Sequence, residues 1–131
     1  MELSVITPQK KVVEGVKISE VFAPGIEGQL DILPNHANLV TELETGVLRW
    51  TTTDGRTSAA AVSYGWLEVN AGNVTVLADV AELGSDISME RAKAAEAKAR
   101  KLIEAGGLDD TDFRKQEMKL QRAMARQGTR I

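Results

Sequence analysis

The hydrophobic period of this chain changes once, at residue 85, and that change restricts the folds open to it. Before the break, inward and outward positions alternate. Leu3, Val5 and Thr7 alternate with their neighbours until Pro8 ends the run, and positions 16, 18, 20 and 22 (Val, Ile, Glu, Phe) keep the same spacing. A period of two is what a half-buried strand requires, because successive side chains point to opposite faces. Asp54-Gly55 predicts a hairpin between residues 47–53 and 57–62. Asn70-Ala71-Gly72-Asn73 predicts another, between 64–69 and 74–78. Closely spaced strands with tight turns and no intervening helix predict an all-β sandwich N-terminal domain over residues 1–84. Aromatic residues make up only 4% of the chain, so the core must be built from Val, Leu, Ile and Ala.

After the break the period is helical. Ser85-Asp86-Ile87-Ser88 supplies N-cap side chains, and residues 89–105 are rich in Ala, Glu, Lys and Arg. Ala92, Ala95, Ala99 and Leu102 step by three and four along a narrow seam. Gly106-Gly107 predicts the end of this helix, and Asp109, Asp110 and Thr111 can cap a second one running to about Gln127. Residues 85–131 are therefore expected to form a C-terminal antiparallel α-helical hairpin. An Ala-seamed pair buries little apolar area, and at roughly 25 cal/mol per Å² it is marginal alone. A marginal element is one that can be moved.

Charge divides the chain at the same point. Residues 1–84 carry five basic residues against eleven acidic ones, a net −6, whereas residues 85–131 carry eleven against eight, a net +3. Halves of opposite sign point to two different partners or two different folding units. On the second helix Phe113, Leu120 and Met124 are expected on one side, with Lys115, Lys119, Arg122 and Arg126 on the other. A solvated face and a docking face for an acidic partner both fit this basic row; few Glu residues interleave to relieve its repulsion.

Catalytic constellations are missing from the sequence. With one histidine, His36, and no cysteine, no metal site is expected. No nucleophile elbow and no Gly-rich phosphate loop occurs. Nucleic acid is a poor partner for a chain of pI about 5.2 whose basic helix lacks stacking aromatics. The opening MELSVITPQKK has no apolar h-region, and no apolar run is long enough to cross a bilayer. Neither a secretory signal nor direct membrane insertion is expected.

Several long motifs, in order, resemble the epsilon subunit of F-type ATP synthases, called delta in mitochondria. They are 22-FAPGIEGQLDILPNHANLVTELETGVLR-49, 65-GWLEVNAGNVTVLADVAE-82, the Arg91-Ala92 helix start and 122-RAMAR-126. The resemblance implies a non-catalytic rotor subunit that couples ring rotation to ATP synthesis. Its sandwich would bind the gamma subunit and the c-subunit ring, peripheral to the cytoplasmic face of a bacterial inner membrane, or to an organelle inner membrane or thylakoid. The ring contact would fall on Glu27, Gly28, Gln29 and His36. The hairpin would restrain ATP hydrolysis by reaching the beta and alpha catalytic subunits, with Lys115, Lys119, Arg122 and Arg126 on an acidic loop of beta.

A second reading implied by the family is an ATP-sensing domain using Glu82, Ile87, Arg91, Ala92, Arg122 and Arg126. ATP-binding members carry Ile-Asp-x-x-Arg-Ala at the first helix start, and Ser88 replaces that Asp here. Ser88 caps a helix but supplies no carboxylate, so weak or undetectable ATP binding is expected. Gln29 stands where the family favours Glu, while Asp31, Asn35 and Tyr64 stand where it often has Gly.

Overall fold

A computed structural model describes residues 1–130. Seven strands precede the helices: β1 (Glu2–Ile6), β2 (Lys11–Gly25), β3 (Gly28–Ile32), β4 (Leu39–Leu43), β5 (Gly46–Thr52), β6 (Thr57–Asn70) and β7 (Asn73–Leu83). A 3-10 turn at Gly84–Asp86 leads into α1 (Met89–Ala105) and α2 (Asp110–Gly128). β1 runs parallel to β7 and antiparallel to β2, so the sheet closes through β1-β7-β6-β5-β2. Side chains from every wall fill one core, with Leu3, Val21, Ile32, Leu48, Leu67 and Val76 fully enclosed. The expected sandwich followed by a helical hairpin is the fold observed.

The turns form where small or amide-bearing residues permit them. Ala71 and Gly72 both have positive φ, as a two-residue hairpin turn between right-twisted strands demands. Asn35 takes φ +67, which its short amide side chain tolerates, and Asp31 sits in ordinary strand backbone within β3.

Residues 57–62 and 64–69, expected as separate strands, are one strand. One register holds from Ala60↔Leu83 to Asn70↔Asn73, broken only between Ser63↔Val80 and Gly65↔Ala78, and there the inward alternation shifts by one residue. Ala60 and Val62 face the core before the shift and Leu67 and Val69 after it. On β7, Val76 and Ala78 precede the shift and Ala81 follows it. Tyr64, opposite Asp79, holds the shift with φ +46, a left-handed conformation that costs a side-chain-bearing residue about 1–2 kcal/mol. β6 changes its other partner here too, from β5 to β4.

Caps read from the sequence are in place. The Ser88 hydroxyl accepts from the Arg91 N–H at 3.3 Å, and the Asp109 carboxylate accepts from the Asp112 N–H at 2.7 Å. Gly106, at φ +71, ends α1. The seams differ from expectation. Ala92 and Ala99 are buried, but Leu102 is exposed and Ile103 turns inward instead. On α2 the exposed Phe113 and Met124 leave burial to Ala123 and Ala125. The reason is that α2 lies between α1 and the sheet, packing on β5 and β6, and so needs two inner faces. Alanines on both allow close approach. Among the described residues, no helix is long and apolar enough to cross a membrane.

Candidate docking surfaces

α2 covers the outer face of the first half of β6, burying Ala59, Ala61 and Ser63. Beyond the shift the outer face is bare. Val40, Tyr64, Trp66 and Leu77 are 63%, 40%, 52% and 52% exposed. Cross-strand pairing places Trp66 beside both Leu77 and Glu42, and Val40 beside Glu68. Tyr64, Trp66, Leu77 and Asp79 line a shallow groove of about 470 Å³ with Ile6 and Pro8. Isolated exposed apolar residues are ordinary; a contiguous set on one sheet face marks an interaction site. Sequence reasoning missed this face. Its signal was present, since Trp66 and Leu77 are large apolar residues at outward positions of their strands.

The four residues expected at the ring contact are all exposed and lie at two points. Glu27, Gly28 and Gln29 lie in the β2–β3 turn and the start of β3, and His36 lies in the loop after β3. β3, which runs between the two points, is roughly 13 Å long. The His36 Nδ1–H donates to the Ala37 carbonyl at 2.8 Å, fixing the ring against its own loop.

Near that loop, Asp31 makes an acidic pair with Glu20 of β2. Reduced hydration and the neighbouring Asp31 carboxyl hold Glu20 above its ordinary carboxylate range. A raised carboxylate pKa opposes folding at neutral pH, and the opposition fades as pH falls through the raised value. Asp31→Asn is therefore expected to return Glu20 toward its ordinary range, visible as a downward shift of its side-chain NMR titration midpoint. An unmoved midpoint would show that the pair does not interact.

The basic row on α2 is divided by the structure. Lys115 and Lys119 point to solvent. Arg122 and Arg126 turn toward the sandwich, and the Arg126 Nε–H donates to Glu82 at 2.8 Å. The Arg122 Nε is buried with no hydrogen-bond partner among the described residues. Arg49 of β5 donates to the Gly128 carbonyl, a second tie between sheet and α2. Within the hairpin, Gln127 donates to Glu96 at 2.8 Å and Arg100 to Glu96 at 3.0 Å. The Arg100 guanidinium and then the Gln127 amide hold Glu96 below its ordinary range, so this contribution is lost as pH falls through that lowered value.

Of the residues named for ATP, Glu82, Arg122 and Arg126 come together around a cavity of about 10 Å³. That volume admits no nucleotide. Ile87 lies on a separate groove with Met89 and Thr129, Arg91 is exposed, and Ala92 is buried in the α1–α2 seam. Among the described residues no His, Asp and Glu cluster has the geometry to hold a metal.

The family model "ATP synthase, Delta/Epsilon chain, beta-sandwich domain" matches residues 1–84. The ATP synthase epsilon chain of Syntrophomonas wolfei is 43% identical over 124 residues, covering 95% of this chain and 89% of the relative. This chain belongs to that family. The epsilon chain of Carboxydothermus hydrogenoformans is 45% identical over 103 residues, 79% of this chain and 75% of its own. Among solved structures, a chain of the Euglena gracilis mitochondrial ATP synthase, OSCP/F1/c-ring, superposes with TM-score 0.84 at 20% identity, over 95% of this chain and 78% of that one. A chain of the Tetrahymena thermophila ATP synthase central stalk and c-ring gives 0.65 at 18% identity, over 95% and 96%. At such identities the structures speak for the fold. As an epsilon-type chain, the protein is a non-catalytic subunit rather than an enzyme.

Proposed function

We propose that this epsilon-type chain is a rotor subunit of a proton-translocating ATP synthase, with residues 1–84 docking on the stalk and residues 85–131 regulating hydrolysis. The bare face of Val40, Tyr64, Trp66 and Leu77 carries the reading. It is an apolar surface that no other element among the described residues covers, in a protein whose relatives are named as ATP synthase chains. The gamma subunit is assigned to this face. Glu27, Gly28, Gln29 and His36, at the loops, are assigned to the c-subunit ring. Contact with the ring keeps the chain peripheral to the membrane, on the side where the catalytic subunits lie.

The hairpin suits regulation because few contacts hold it. Among the described residues, its polar side-chain ties to the sandwich are the half-exposed Arg126–Glu82 pair and the Arg49–Gly128 hydrogen bond, beside packing by alanines and Thr129. Once released, α2 frees Arg122 and Arg126 to join Lys115 and Lys119, completing the basic row for beta, with alpha alongside. The tightness of the cavity beside Arg122 and the absence of a carboxylate at Ser88 favour this mechanical role over ATP sensing.

The test is binding of purified gamma subunit to three chains: the full chain, residues 1–84, and full-length Leu77→Asp. The fragment should keep a strand-type circular dichroism spectrum and bind gamma like the full chain. Leu77→Asp should weaken binding by about a hundredfold, since docking would desolvate the new carboxylate. Equal affinity of Leu77→Asp and wild type would remove gamma from this face. An unfolded fragment would refute the two-part division.

A further inference from the structure

We propose that Tyr64 is the anchor residue of the docking face, held in a strained backbone conformation so that its ring projects into an apolar, Lys- and Arg-flanked surface of the stalk partner; the proposal rests on the docking reading above. Three observations carry it. Tyr64 has φ +46, a conformation that glycine adopts freely and a β-propensity residue such as tyrosine does not. Its side chain is only partly covered by its own chain, with 40% left exposed on the groove wall, so burial there is incomplete. The shift that imposes the strain also separates the helix-covered half of β6 from the bare half, so the ring stands at the inner border of the free face.

A strained residue persists where the fold over-determines it, and such residues concentrate at functional sites. The next position shows the over-determination. Gly65 approaches β7 so closely that an added Cβ would lie 2.0 Å from the Leu77 carbonyl oxygen. The backbone path at residue 64 is therefore set by its neighbours, and glycine at 64 would follow it without strain. Tyrosine follows it with strain and presents an amphipathic ring beside Trp66. Tyr and Trp, with Arg, are enriched among the few residues that dominate binding energy at protein interfaces.

Charge complementarity defines the occupant. Around the bare face, β4, β6 and β7 carry Glu42, Glu68 and Asp79 and no basic residue, while Glu82, on the helix-covered half, is already paired with Arg126. A partner surface of the same sign, including a second copy of this face, would be repelled at the rim. An apolar surface flanked by Lys and Arg is drawn to it, chiefly through the rate of encounter.

The experiment pairs stability with affinity in the full chain, using purified gamma subunit as the probe. Tyr64→Gly releases the strain and removes the ring, while Tyr64→Ala keeps the strain and removes the ring. Expected results are a melting temperature for Tyr64→Gly about 2–5 °C above wild type, set by the strain released less the added freedom of the unfolded chain. Tyr64→Ala should melt below Tyr64→Gly. Both should bind gamma at least about tenfold more weakly, and Tyr64→Phe should restore most of the affinity.

Gamma binding of wild-type strength in both variants, while Leu77→Asp binds poorly, would overturn the anchor and leave the docking face standing. Undiminished binding by Leu77→Asp as well would remove the face itself. A lower melting temperature for Tyr64→Gly than for Tyr64→Ala would show that residue 64 holds no strain. Self-association of the free chain that is lost on Tyr64→Gly would overturn the assignment to gamma, because the occupant would be a second copy.

Discussion

Gly65→Ala is expected to lower the melting temperature of the full chain by about 10–20 °C. A methyl group at residue 65 would sit 2.0 Å from the Leu77 carbonyl oxygen and 2.8 Å from the Ala78 Cα. These are backbone atoms of the paired strand, so no side-chain rotation relieves the clash. β6 and β7 must separate by more than an ångström at the place where both already shift their alternation. Overpacking ordinarily costs about 1–3 kcal/mol, and an obstacle made of backbone belongs at the upper end or beyond. In a domain of this size each kcal/mol lowers the melting temperature by about 4–8 °C. Gly28→Ala supplies the contrast. No atom lies within 4 Å of a Cβ there, so only its backbone, at φ +131, is strained and a smaller loss is expected. Thermal unfolding followed by circular dichroism distinguishes the two. Equal small losses would mean that β6 and β7 are not as closely apposed as this geometry requires.

The close approach at Gly65 also shows where sequence reading stopped. The period break at residue 85, the Ser88 and Asp109 caps and the 70–73 turn depend on residues adjacent in the chain, and all were legible. Tyr64 could be noted as a tyrosine at a position where glycine is common. Its consequence could not, because a shift shared by β6 and β7 needs both strands in register before it can be seen. The faces of α2 were misassigned for a related reason. One apolar stripe is the natural reading of Phe113, Leu120 and Met124, but a helix lying between a sheet and another helix uses small residues on two sides. Ala123 and Ala125 carry no hydrophobic signal that distinguishes them from solvent-facing alanines. The docking face was hidden because Trp66 and Leu77, flanked by Leu67 and Val76, read as parts of apolar runs.

Division of the basic row yields the prediction with the largest effect on regulation. In the docked hairpin, Arg126 is tied to Glu82 at 2.8 Å and Arg122 is turned toward the sheet, while Lys115 and Lys119 are exposed. If the released hairpin inhibits through all four cations, changing Lys115, Lys119, Arg122 and Arg126 to Ala should abolish most inhibition of ATP hydrolysis. Partly exposed pairs contribute about 0.2–1 kcal/mol each, so four lost together shift the balance by several-fold or more. Glu82→Gln should act in the opposite direction. It weakens the tie that keeps the hairpin docked and leaves every cation available, so inhibition should rise by up to a few-fold. Raised salt should reduce inhibition in wild type and in Glu82→Gln, because exposed pairs are screened beyond about 8 Å at physiological ionic strength. The measurement is ATPase activity of the reconstituted catalytic complex with each variant, helicity being checked by circular dichroism. A merely solvated basic face predicts no change in the fourfold variant at any salt concentration. Opposite responses to Glu82→Gln and to the fourfold change would show that the same arginines serve both the resting and the inhibitory positions of the hairpin. Weaker inhibition by Glu82→Gln would mean that the docked arrangement is itself the inhibitory one.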